Sequence, residues 1–182
     1  DHTSIDHNEL KNLPYTGISC GWGWGYNDPP GYNSSGWPVG LAAAPSNQTV
    51  NGSNTFTNNK ITNFQQQLMD SGGIYLNGRQ DNTTVSRNYI NAGNAGTYKF
   101  PMYLDNGARG VTLTGNVCEG APQYWVDFNA AFQPFAVQNT CTENYADTGS
   151  VSSADNSNTI NSNTVGAFGA TALATKAAAG RY

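Results

Sequence analysis

Charge is scarce in this chain. Of 182 residues, eight are Lys or Arg and 12 are Asp or Glu, leaving a net charge of −4. So few dispersed cations form neither the basic stripe that nucleic acid needs nor a polybasic membrane patch. No apolar run approaches the roughly 20 residues of a membrane span, and the longest, Ala167–Ala174, is short of it. Only two His and three Cys are present, without zinc-ligand spacing, so neither a metal site nor another cofactor is expected. His2 and His7 flank the first repeat without positioned carboxylates. Glu and Lys, strong helix formers, are rare, and Gly and Asn interrupt nearly every stretch, which argues against a helical protein. What the chain has instead is 21 aromatic residues, too many large apolar groups for a disordered chain.

A six-residue pattern, apolar-x-x-Asn-x-apolar, runs through the sequence. It reads Ile5 to Leu10 around Asn8, Phe56 to Ile61 around Asn59, and Val85 to Ile90 around Asn88. It continues as Leu113 to Cys118 around Asn116, Ala136 to Cys141 around Asn139, and Ile160 to Val165 around Asn163. From Asn59 onward the intervals are 29, 28, 23 and 24 residues, and the first interval, 51, holds a long excursion. A period in the twenties built of short β-rich segments predicts a solenoid, because a coil that buries few side chains is stable only when stacked. The expected fold is all-β, a right-handed parallel β-helix of about six coils spanning residues 1–182 as one segment. Residues 22–55 are expected to form an inserted loop, and the Ala-rich residues 166–182 a C-terminal cap. The repeated Asn is expected at the turn between two sheets, where it tolerates left-handed backbone and bonds along the stack.

A second strand per coil aligns Ile18-Ser19-Cys20-Gly21 with Ile74-Tyr75-Leu76-Asn77, Met102-Tyr103-Leu104-Asp105 and Tyr124-Trp125-Val126-Asp127. Alternation across a strand then points Cys20 inward as an apolar filler. It turns Tyr75, Tyr103 and Trp125 outward as one column, with Asn77, Asp105 and Asp127 as the next. Exposed rings flanked by hydrogen-bonding groups suit sugars, which present an apolar C–H face and hydroxyl edges. The bland alternative lays the 22–55 excursion over those rings. That excursion carries Trp22, Trp24 and Trp37, placed to shape a pocket. Asp105 and Asp127, one rung or about 5 Å apart, match a carboxylate pair of a retaining glycosidase. Asp70 precedes the Tyr75 strand and approaches the same face, although Asp70-Ser71-Gly72-Gly73 and Asp105-Asn106-Gly107 also read as turns. Arg79 and Arg109 follow their strands and are placed to orient a substrate.

Cys118 and Cys141 hold equivalent places in consecutive coils, which allows either a disulfide or a reduced pair of core thiols. Asn33, Asn47, Asn51 and Asn82 fit the N-glycosylation pattern. The chain opens at Asp1 directly into a repeat, so an N-terminal β-helix portion or chain of the same protein is an expected partner.

Three segments carry a resemblance. They are Tyr15 to Trp24 (YTGISCGWGW), Asp70 to Tyr75 (DSGGIY) and Met102 to Gly107 (MYLDNG), in that order. The chain resembles the C-terminal part of right-handed parallel β-helix glycoside hydrolases of the lacto-N-biosidase-like, pectin-lyase-like group, over roughly residues 1–120. The resemblance implies a secreted enzyme that acts on an oligo- or polysaccharide with aspartates on the solvent face of the helix. It places catalytic roles on Asp70 and Asp105. Substrate contacts are expected from Tyr75, Asn77, Tyr103, Trp125, Asp127, Trp22, Trp24 and Arg79. Some relatives carry a second carboxylate seven residues after the first; here that position is Asn77, an amide. Two alternatives stand beside the hydrolase. One is a non-catalytic carbohydrate-binding β-helix. The other is a polysaccharide lyase, disfavoured because the proposed face has few cations to neutralise a uronate.

Overall fold

In a computed structural model the chain winds through three sheets, and the structure describes residues 1–21, 51–93, 96, 98–129 and 136–181. The first coil contributes β1 (Ser4–Asp6), β2 (Glu9–Lys11) and β3 (Ile18–Cys20). The second contributes β4 (Thr55–Thr57), β5 (Lys60–Thr62) and β6 (Ser71–Leu76). The third follows with β7 (Arg79–Ser86), β8 (Tyr89–Asn91) and β9 (Lys99–Leu104). Then come β10 (Arg109–Thr114), β11 (Val117–Glu119) and β12 (Tyr124–Phe128). β13 (Thr140–Thr142), β14 (Tyr145–Ala146) and β15 (Ser150–Ser153) precede β16 (Thr159–Asn161) and β17 (Thr164–Val165). Each coil places one strand in each sheet, except that the last coil contributes only β16 and β17 to the first two, giving sheets of six, six and five strands with parallel pairing throughout. The fold is a parallel β-helix. Among the described residues no helix is long and apolar enough to cross a membrane.

The hexapeptide pattern has a direct structural meaning. Its first apolar residue points inward from the first sheet, where Ile5, Phe56, Val85, Leu113, Cys141 and Ile160 stack in register. Its last points inward from the second sheet, where Leu10, Ile61, Ile90, Cys118, Ala146 and Val165 stack. The Asn between them forms a buried ladder: the Oδ1 of each accepts the backbone N–H and the Nδ2–H of the Asn one coil earlier. The ladder runs Asn8, Asn59, Asn88, Asn116, Asn144, Asn163 at 2.9–3.0 Å.

Three expectations are corrected by this ladder. The partner of Asn116 is Asn144, and Asn139 stands in a second column where it bonds Val111 and Asn158. Ala136 to Cys141 fits the hexapeptide by composition, but the true repeat is Cys141 to Ala146. Hence Cys118 and Cys141 lie on different sheets, opposite Ala146 and Leu113 respectively, and both are free thiols. Burial pushes the Cys141 thiol up to about 12. Last, the left-handed residue is the one before the ladder Asn: His7, Asn58, Arg87, Gly115, Glu143 and Ser162 all have φ between 52° and 65°. The buried amide is kept for the ladder, and its neighbour takes the bend.

The excursion also ends earlier than expected. Gly52 already bridges Asp81, and Asn54 already bonds Thr3 and Thr83 of adjacent coils. Trp22, Trp24, Trp37, Asn33 and Asn47 lie outside the described residues. Of the remaining glycosylation candidates, Asn82 is exposed, whereas the Asn51 amide is engaged by Cys20 and Asn54. Cys20 packs against the core as expected.

The Ala-rich tail forms one helix, α1 (Ala170–Ala178), but it does not close the last coil. It lies along the outside of the second sheet and runs back towards the first coil. Ala172 and Ala179 pack in one cluster with Tyr89, Val117, Tyr145 and Phe168, and the Gly180 N–H reaches the Asn58 carbonyl at 2.7 Å. Ile160 and Val165 of the last coil are exposed. Midway, Lys176 Nζ meets both Glu119 oxygens at 2.8 and 2.9 Å and sits 4.8 Å over the Tyr89 ring. Burial by itself would raise the Glu119 carboxyl, but Lys176 and the Tyr89 hydroxyl hold it below its ordinary value. Burial by itself would lower Lys176, but Glu119 and Tyr89 raise it. The pair therefore stabilises the docked helix above the ordinary Glu range and below the ordinary Lys range. That contribution is lost as pH falls through the lowered Glu119 value, or rises through the raised Lys176 value. Lys176→Met is expected to weaken docking by about 1 kcal/mol, the scale of a partly exposed pair. Hydrogen exchange of the α1 amides checks this: unchanged protection in the variant would mean that apolar packing alone holds the helix.

Candidate functional site

Among the described residues the third sheet has no Asn ladder like that of the first two, and its outer face gathers Tyr75, Tyr103 and the flanking Asp105 and Asp127. Ile18, Ile74 and Met102 are in register and face the core, so Ser19, Tyr75 and Tyr103 form the next, outward column. Two rings of the expected stripe are therefore adjacent. Tyr75 and Tyr103 meet edge-to-face with centroids 5.3 Å apart, and Phe100 meets Tyr103 in the same way at 5.0 Å.

The third member of the stripe is different. Val126, rather than Tyr124, stands opposite Met102, and Asp127 stands opposite Tyr103. Between Tyr124 and Val126 the ladder to β15 is irregular, and Trp125 turns into the hydrophobic core, where its Nε1 has no partner. Residues 124, 125, 126 and 128 are all apolar or aromatic, so alternation alone left the register open. Against β9 the strand pairs two residues on from the expected alignment, and at the irregularity Trp125 leaves the outward column for the core. Tyr124 takes the outer position instead, stacked on Phe100 at 6.2 Å. Asp127 accordingly flanks Tyr103 and is not the rung neighbour of Asp105.

Asp105 follows β9 and is only 7% exposed. The Tyr75 hydroxyl donates to its Oδ2 at 2.6 Å, and the Tyr103 hydroxyl donates to its Oδ1 at 3.1 Å. The rings that the sequence suggests for stacking are thus aimed, through their hydroxyls, at a carboxylate. Tyr103 is itself only 8% exposed. Burial, then the charges of Asp105, Asp70 and Asp127, push its phenol far above the ordinary range, so it remains a donor. Asn77 lies opposite Asp105 in the continuing register, donates to the Tyr75 oxygen at 3.4 Å, and keeps a buried Oδ1 without a partner.

Asp70 occupies the opposite end of the sheet, at the corner before β6. Its φ is +62°, one of the left-handed positions that Asp tolerates, and Tyr98, one coil on, repeats it at +53°. The corner is tied by Tyr15, whose hydroxyl donates to the Asp70 carbonyl at 2.9 Å. Partial desolvation and, second, the charge of Asp105 raise the Asp70 carboxyl above its ordinary value. Tyr15 is raised by burial and by the charges of Asp70 and Asp105. So the two carboxylates come from opposite ends of the strands, yet share one field across the tyrosines.

Arg79 opens β7 on the first sheet, with Arg109 beside it in β10, and its guanidinium pairs with Asp81. Among the described residues, no group of three or more His, Cys, Asp or Glu could hold a metal ion. Sequence reasoning gave no role to Tyr15, Tyr98, Phe100 or Tyr124. For Tyr98 a signal existed: it follows Asp70 by 28 residues, the interval between Asn88 and Asn116.

No family model matches the sequence, and no curated protein matches it. Among solved structures, one described as "Glycoside hydrolase" superposes with a TM-score of 0.58 at 21% identity. The match covers 98% of this chain and 22% of that one. At that identity the likeness is one of fold: this chain is similar to a stretch of a much longer protein.

Proposed function

We propose that this chain is the C-terminal part of a secreted glycoside hydrolase on a right-handed parallel β-helix, acting on an oligo- or polysaccharide at the outer face of the third sheet. An N-terminal β-helix portion of the same protein would complete it. The observation that carries the reading is the pair Asp70 and Asp105, set at the two ends of a face lined by Tyr15, Tyr75 and Tyr103. Asp70, whose carboxyl is raised by desolvation and by Asp105, suits the general acid that protonates the departing glycosidic oxygen. Asp105, oriented by two phenol donors, suits the carboxylate that activates water. In this reading a water held between the two carboxyl groups is the nucleophile. Proton balance is simple: Asp70 gives its proton to the leaving sugar and Asp105 takes one from the water that adds to the anomeric carbon.

The test is product release from glycans by the intact parent protein and its Asp70→Asn variant. Release is expected to fall about 10²–10⁴-fold, the range of a positioned acid, with binding retained. In the unmodified protein the rate is expected to decline as pH rises through the raised Asp70 value. An unmodified protein that binds glycans and releases nothing rejects the hydrolase. A second reading, a carbohydrate-binding β-helix without catalysis, is favoured by one observation: both Asp105 oxygens already serve as acceptors within the fold.

A further inference from the structure

We infer that the corner before β6 and β9 is a binding platform for an uncharged oligosaccharide, lying along the solenoid axis over Tyr15, Leu68, Met69 and Tyr98. The substrate-class part of this inference rests on the carbohydrate reading above.

Seven large apolar or aromatic side chains are exposed among the described residues, and four of them belong to segments that hydrogen bonds hold together at this one corner. Leu68 is 59% exposed, Met69 65% and Tyr98 61%, while Tyr15 stands beside them at the surface. The other three, Ile160, Val165 and Leu173, belong to the last coil and α1. Exposed apolar side chains gathered in one place mark a contact surface, whereas scattered ones do not.

The corner is also held in shape. Gln65 ties three coils together: its N–H donates to the Tyr15 carbonyl at 2.6 Å, and its side-chain amide donates to the Tyr98 carbonyl at 2.8 Å. The Gln67 and Leu68 N–H groups both reach the Pro14 carbonyl, at 3.0 and 2.9 Å. A platform fixed before binding spends little ordering entropy on its ligand. Tyr15 and Tyr98 stand two coils apart, roughly 10 Å along the axis at about 4.8 Å per rung, so one extended chain can span both.

Chemistry selects the ligand. The rings offer apolar faces to sugar C–H faces, and Asp70, between them along the axis, accepts from hydroxyls. Asp70, Asp105 and Asp127 give this side a negative field, felt together at Tyr103, which disfavours an acidic glycan. The nearest cation in sequence, Lys99, is buried with its ammonium 5.2 Å over the Phe64 ring. The sheet face itself has little ring surface to offer, since Tyr103 is covered and Tyr75 half-buried; the corner supplies what the face lacks.

Calorimetric titration of the parent protein with neutral tetrasaccharides (cello-, xylo-, chito- and lacto-N-tetraose) tests this, with a Lys-rich hexapeptide as the rival ligand. At least one tetrasaccharide is expected to bind. Tyr98→Ala, and separately Leu68→Ser, are expected to weaken it about tenfold, or ~1.4 kcal/mol, without altering the melting temperature. Wild-type affinity in both variants overturns the inference, as does binding of the peptide alone or of no ligand. The hydrolase reading fails separately: a tetrasaccharide that binds through Tyr98 and is never cleaved leaves the platform standing without the enzyme.

Discussion

Replacing Asn116 by alanine is expected to cost about 3–5 kcal/mol, among the largest single-residue effects in this chain. Its side chain is fully buried and makes four hydrogen bonds. It accepts from the Asn88 N–H at 3.0 Å and Nδ2–H at 2.9 Å, and donates to the Val85 carbonyl and Asn144 Oδ1, both at 2.9 Å. Alanine removes all four and leaves the Asn88 donors and the Val85 carbonyl buried in apolar surroundings, where an unmet polar group costs about 1–3 kcal/mol. The loss is not local, because each rung orients the next and a solenoid is only as cohesive as its interfaces. Asn163→Ala, at the half-buried end of the same ladder, is expected to cost nearer 1 kcal/mol. Urea denaturation of the two variants measures the gradient. Equal small losses at both positions would show that apolar stacking carries the fold and that the ladder only decorates it.

Asp105→Asn is expected to lower the turnover of the proposed hydrolase by about 10³-fold while glycan binding persists. Asparagine fills the same volume but presents one acceptor oxygen where the carboxylate presents two. One of the Tyr75 and Tyr103 hydroxyls then loses its acceptor, at a cost of about 1–2 kcal/mol in stability. Melting and catalysis are thereby separated: the stability loss is modest whichever function is right, whereas the rate loss belongs to the enzyme alone. Removing the Asp105 charge also relieves Asp70, whose carboxyl value is expected to move down towards the ordinary range. An NMR titration of Asp70 in the variant reads that shift without any substrate. If turnover is unchanged, Asp105 is a structural acceptor for the Tyr75 and Tyr103 phenols and the catalytic pair lies elsewhere.

The hexapeptide repeat by itself determined the first two sheets. A buried amide with apolar residues three before it and two after it leaves little freedom, because each coil repeats the same chemical demands. The pattern failed only at Ala136 to Cys141, where Asn139 serves the second column and imitates the first. That imitation is what set Cys118 and Cys141 falsely side by side. In the third sheet the sequence placed Tyr75, Tyr103 and Asp105 together, since Ile74 and Met102 alternate cleanly. It failed at Trp125, because four apolar or aromatic residues in five give alternation nothing to choose between. Only the tertiary structure decided that register, for a strand's register follows which side chains the interior can hold. The direction of α1 was likewise undetermined, since an alanine-rich helix packs as readily on a side as on an end; the Glu119–Lys176 pair and the Tyr89 ring hold it to the side. The corner platform was equally out of reach, because Tyr15, Leu68, Met69 and Tyr98 come from three coils and only the winding of the chain makes them neighbours.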